Sequence, residues 1–101
     1  VQPNMRLLKQ VQEQLAKMQA ELAELVVEGA AGGGAVRVEL DGLRHVRRVS
    51  IDPTLVEAGD IEMLEDLVAA AVNDALRRVE EAVTTKMGAL AGGLGLPFPG
   101  L

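Results

Sequence analysis

Residues 26–42 read VVEGAAGGGAVRVELDG, and their reading separates two different molecules. Three consecutive glycines, Gly32 to Gly34, opening into an apolar stretch can cradle a phosphate or can simply reverse the chain. A P-loop needs Lys followed by Ser or Thr after its last glycine, with a helix beginning there, and a dinucleotide fingerprint also needs that helix. Here the glycines lead into Ala35-Val36-Arg37. Val36, Val38 and Leu40 then alternate with Arg37 and Glu39, the period-two pattern of a half-buried strand. The glycines are therefore a turn between two strands, supplying positive φ.

Reading outward from this hairpin gives the rest of the fold. On the N-terminal side, VVEGA (Val26 to Ala30) is short and β-branched enough to be the first strand. On the C-terminal side, Asp41-Gly42 signals a second turn. Val46, Val49 and Ile51 follow with basic residues between them, and the skip from 46 to 49 predicts a bulge. Asp52-Pro53 ends this third strand, because proline cannot donate to a ladder. Val49 and Ile51 are expected to be buried on the sheet.

Helical periods flank the strands. Leu8, Val11, Leu15, Met18, Leu22 and Leu25 form an unbroken a/d seam, so a helix is predicted from about residue 4 to 25. Its narrow stripe suits packing against one or two neighbouring helices. A second long helix is predicted from about Asp60, an N-cap followed by the acidic Glu62, Glu65 and Asp66. Its stripe is Ile61, Leu64, Val68, Ala71, Ala75, Val79 and Ala82. Gly88 and then AGGLGLPFPGL (residues 91–101) read as unable to sustain a helix. The expected organisation is one α+β domain over residues 1–91 and a flexible Gly/Pro-rich tail over 92–101.

Composition narrows the function. The 101 residues suit one domain, and 49% are hydrophobic, yet Phe98 is the only aromatic. A small core without rings leaves two long stripes that one subunit cannot cover, so self-association is expected. There is no cysteine, hence no disulfide and no thiolate metal site. The N-terminus lacks the uninterrupted apolar core of a secretion signal, and no apolar run approaches the ~18 residues needed to span a bilayer. The formal net charge is −5, which by itself disfavours nucleic acid. Its distribution is polarised, however. Arg6, Lys9 and Lys17 face a single acid, Glu13, among the first twenty residues. Arg37, Arg44, Arg47 and Arg48 cluster in the middle, and acid gathers between Asp52 and Asp66.

Catalytic and metal chemistry find little support. Ser50 and His45 are the only serine and the only histidine, and alternation places them on opposite faces of an unbulged strand. Glu62, Glu65 and Asp66 share a helical face without a histidine, as a helix N-terminus favours. No cofactor is expected. With one aromatic there is no stacking platform for single strands, so any DNA binding would rest on phosphate contacts. Arg37, Arg44, Arg47 and Arg48 are candidates for such contacts on charge distribution alone.

The segments LLKQVQEQLAKMQAELAELVVEGAAGGGAVRVELDG, VSIDPTLV, DIEMLEDLVAAAVNDALRRVEE and KMGALAGGLGLP together resemble the YbaB/EbfC family of bacterial nucleoid-associated proteins. The resemblance runs from about Met5 to Pro97. It implies an α-β-β-β-α subunit with a three-stranded antiparallel sheet and two long helices, pairing through the sheet and adjacent helices into a tweezer-like homodimer. It also implies a cytoplasmic protein of the nucleoid that binds and compacts duplex DNA without catalysis. Contact with DNA would fall to basic residues on the projecting helices, at positions matched here by Arg6, Lys9, Lys17, Arg77, Arg78 and Lys86. The rival reading is a protein-interaction adaptor for replication or recombination-repair proteins.

Overall fold

The structure is a computed structural model that describes residues 4–93. Helix α1 (Met5–Glu24) leads into three strands, β1 (Val26–Ala31), β2 (Val36–Asp41) and β3 (Val46–Ile51). A short α2 (Pro53–Glu57) and a long α3 (Ile61–Gly93) follow. The strands form one antiparallel sheet in the order β1-β2-β3. Asn4 caps α1 by accepting from the backbone N–H groups of Arg6 and Leu7, both at 3.1 Å. Asp60 does the same for α3 through the Met63 N–H at 3.0 Å.

The turn reading of the glycines holds. Gly32, Gly33 and Gly34 all have positive φ (64°, 69° and 95°) between β1 and β2. The bulge is present too: the β2–β3 register shifts between Glu39 and Leu40, so that Glu39 pairs with Arg48 while Leu40 pairs with Val46. Arg47 is the extra residue. The bulge brings Val46, Val49 and Ile51 onto one face, opposite Leu40, Val38 and Val36 respectively.

That face carries the core. Val36, Val38 and Leu40 pack against Ala71, Ala75 and Val79 of α3, all six buried. The three helix positions are four apart and form one ridge. Small side chains on that ridge let α3 approach β1 at Gly29, where a Cβ would lie 2.6 Å from the Ala71 carbonyl oxygen. A second close approach fixes α1. The Gly42 N–H donates to the Leu22 carbonyl at 2.8 Å, and a Cβ on Gly42 would lie 3.0 Å from Leu22 Cα.

Four expectations need correction. Val49 and Ile51 are not buried in the subunit: they are 48% and 38% exposed, and Val46 is 60% exposed. The reason is that α3 lies over β1 and β2 and leaves the β3 part of the same apolar face uncovered. Ile61, placed in the buried stripe of α3, is exposed at its first turn. Asp52-Pro53 ends a strand and also starts α2, with Asp52 accepting from the Thr54 N–H at 3.0 Å and proline at the first turn. Finally, α3 runs through Gly88 to Gly93. Each glycine costs a helix about 1 kcal/mol relative to alanine, but extending a formed helix carries no nucleation cost. The expected tail therefore begins inside α3, and its residues 94–101 lie outside the described residues. No helix among the described residues is long and apolar enough to cross a membrane.

Candidate nucleic-acid interface

The basic residues fall into two groups, distinguished by what already neutralises them. Arg6, Lys9 and Lys17 lie on α1, all exposed, and none makes an ion pair among the described residues. At 3.6 residues per turn they fall within about 80° of one another around the helix, roughly opposite the Leu8–Val11–Leu15–Leu22 seam. The seam turns toward the rest of the subunit at Leu22, which is buried, while Leu8 and Leu15 remain exposed. The helix thus presents three cations, with Glu13 within their arc, on one side and an apolar line on the other.

Arg44, Arg47 and Arg48 are likewise exposed and without an ion pair among the described residues. Arg44 adopts φ 67° in the β2–β3 turn, a left-handed conformation that glycine normally supplies. The turn is held by Asp41, a buried acid whose Oδ1 accepts from the N–H groups of Leu43 (2.8 Å) and His45 (3.0 Å). The His45 and Leu43 donors hold its carboxyl below the ordinary range against the opposing pull of burial. His45 Nδ1 lies 3.3 Å from Asp41 Oδ2, its ring mostly in solvent. This histidine sits in the turn before β3, not on the strand.

The remaining cations are engaged. Asp74 of α3 takes both Arg77 and Arg78, and Arg77 also reaches Glu81 at 3.3 Å. Asp74 Oδ2 accepts in addition from the Ala30 N–H at 3.0 Å, satisfying a donor on the outer edge of β1. These contacts, the Ala30 N–H first and Arg77 next, lower the Asp74 carboxyl to about 2. Lys86 reaches Glu21 of α1 at 3.5 Å and links the two long helices. Arg37 Nε donates to the Gly34 carbonyl at 3.1 Å and lies 4.0 Å from Glu28. Because α3 continues to Gly93, Arg77 and Arg78 lie at its middle and not in its last turns.

A groove of about 240 Å³ separates α1 from the far part of α3, lined by Gln14, Lys17, Met18, Glu21, Lys86 and Ala89. It contains no pairing of nucleophile and base. Among the described residues no group of three or more His, Asp or Glu is close enough to hold a metal. The Asp74 hub was not singled out from sequence, and at Asp41-Gly42 the turn was read but not the part the Asp41 carboxylate plays in holding it. The hub was readable as Asp and Glu three or four residues from Arg on one helix face.

Fold and surface together define a small α+β protein that offers charged and apolar faces. The chain belongs to the YbaB/EbfC DNA-binding family, whose model matches residues 1–94. It is 52% identical to a nucleoid-associated protein of Rhodopseudomonas palustris over 97 residues, 96% of this chain and 91% of that one. It is 54% identical to a nucleoid-associated protein of Bordetella avium, covering 96% of this chain and 88% of that one. The fold is similar to the crystal structure of an uncharacterized protein from Helicobacter pylori, with a TM-score of 0.75 at 22% identity, over 88% of this chain and 98% of that chain.

Proposed function

We propose that this chain forms a homodimer that binds duplex DNA, mainly through phosphates, and so contributes to nucleoid organisation and gene regulation. The observation that carries the reading is the line of Arg6, Lys9 and Lys17 on one exposed face of α1, free of ion pairs among the described residues. A phosphate takes such a side chain without first displacing a carboxylate. Arg44, Arg47 and Arg48 rank next for the same reason. Arg37, Arg77, Arg78 and Lys86, each already facing an acid, rank last. The nucleoid-associated relatives at about half identity support DNA as the partner. Pairing of two copies is supported by the uncovered Val46–Val49–Ile51 strip, an extension of the core face left in solvent. The reading assigns no catalytic step to the chain.

A titration of a labelled duplex at two salt concentrations tests it. Binding that weakens steeply with salt is expected, because each neutralised phosphate releases counterions. Absence of binding at low salt contradicts the reading and favours the adaptor for replication or recombination-repair proteins. The observation favouring that second reading is the exposed part of the α1 seam, Leu8 and Leu15.

A further inference from the structure

The net charge of −5 and the pairing pattern on α3 raise a question about Arg77 and Arg78. Their guanidinium groups are at the surface, with side chains 61% and 53% exposed, whereas Asp74 between them is 19% exposed. The carboxylate has a fixed position because the Ala30 N–H holds it at 3.0 Å. It therefore presents two oxygens to two arginines from a base anchored on the sheet edge, which is the arrangement a phosphate would occupy. Glu81 adds a second acid at Arg77, and Glu28 lies nearby, lining a shallow depression with Arg78 and Glu81.

We infer that Arg77 and Arg78 form a latent phosphate-binding site whose built-in occupant is Asp74, and that this contact keeps the α3 arginines out of the DNA interface. The inference rests on the duplex-DNA reading above. Its physical core is an exchange of anions. When DNA phosphate replaces Asp74, one ion pair forms and another is lost, and the exposed carboxylate must then recruit a cation of its own. The exchange releases few net counterions, so these arginines add little to affinity or to its salt dependence. Removing the carboxylate charge turns Arg78 into an ordinary phosphate ligand and leaves Arg77 with only the exposed Glu81 to compete for it.

Asp74→Asn makes the test sharp. The amide oxygen still accepts from Ala30, while the charge and the second acceptor, the one toward Arg77, are lost. Binding of a labelled duplex across a salt series is compared for the wild-type chain, D74N, R77Q/R78Q and D74N/R77Q/R78Q, each checked for helix content by circular dichroism. D74N is expected to bind more tightly and to steepen the slope of log affinity against log salt by roughly 2–4 units at ~0.9 per phosphate, because the dimer frees two Arg78 outright and two Arg77 that still face Glu81. R77Q/R78Q alone should leave the wild-type slope within about half a unit, and the triple variant should return to it.

Three results overturn the inference. One is an unchanged slope and affinity in D74N. Another is a flattened slope in R77Q/R78Q, which would place these arginines on DNA already. The third is a gain in D74N that survives in the triple variant, which would make it simple relief of negative charge. Should the wild-type chain fail to bind at low salt, the DNA reading fails by itself. Binding by D74N that needs Arg77 and Arg78 would still uphold the latent site, and no binding by D74N would overturn it. If D74N does not fold, Asp74→Ala takes its place. Alanine is the best helix former, and the exposed Ala30 leaves its N–H to water.

Discussion

Gly29 of β1 lies directly beneath Ala75 of α3. A Cβ on this glycine would sit 2.6 Å from Ala75 Cα and 2.6 Å from the Ala71 carbonyl oxygen, nearer still to the Ala75 nitrogen. The obstacle is helix backbone, which cannot rotate aside as a side chain would. Gly29→Ala must therefore lift α3 off the sheet and open the contact with Val38. A loss of about 1–3 kcal/mol in urea unfolding is expected, the usual cost of overpacking. A variant as stable as wild type would mean that helix and sheet are not in this contact.

The uncovered strip on β3 makes a different prediction. Ile51 is 38% exposed in the subunit, so Ile51→Asp places its charge in water and should leave the fold intact. In the proposed homodimer the same carboxylate enters an apolar interface without a partner, which is costly. Circular dichroism should show wild-type helix content, and sedimentation at micromolar concentration should give about one chain mass where the wild type gives about two. A folded, fully dimeric Ile51→Asp would place the interface elsewhere.

Asp74 predicts a pH window. Its folded-state carboxyl is depressed from 3.8 to about 2. The stabilisation it brings is therefore present above about pH 4 and lost as pH falls through 2. Asp41 and Asp52 are shifted in the same direction by the N–H groups of His45 and Thr54, so the wild type loses stability there for several reasons. The useful readout is the difference from Asp74→Asn. That variant should be less stable at neutral pH, and the gap should close between pH 4 and 2. A gap independent of pH would mean that the charge of Asp74 contributes nothing to folding.

Periodicity made the two long helices, the three strands and the bulge legible, because each leaves a repeat long enough to count. The glycine turn was legible for a second reason, since it is followed by alternation and not by a helix. A five-residue helix such as α2 contains barely more than one turn and leaves no period, although Asp52-Pro53 is also a helix-start signal. Gly88 misled the reading because propensity is a local cost, while the extension of α3 past it depends on helix already formed. Alternation assigned Val49 and Ile51 to the correct face. It held no information on how many strands α3 covers. Counting charges named the basic residues, but only geometry separates Arg6, Lys9 and Lys17, without an ion pair among the described residues, from Arg77 and Arg78, held by Asp74.

In the proposed complex, duplex DNA is held by Arg6, Lys9 and Lys17 of α1. The most direct test is the salt dependence of duplex binding for the wild-type chain and for a variant with Arg6, Lys9 and Lys17 all replaced by glutamine. If each subunit neutralises about three phosphates, the dimer engages roughly six, and the slope of log affinity against log salt should be about −5. The triple variant should keep its fold, since all three side chains are exposed, and should bind weakly with a much flatter slope. Sequence preference should be slight in both, because phosphate contacts position a protein without reading bases. Equal affinity and an unchanged slope in the triple variant would contradict the account, and would move the interface to Arg44, Arg47 and Arg48.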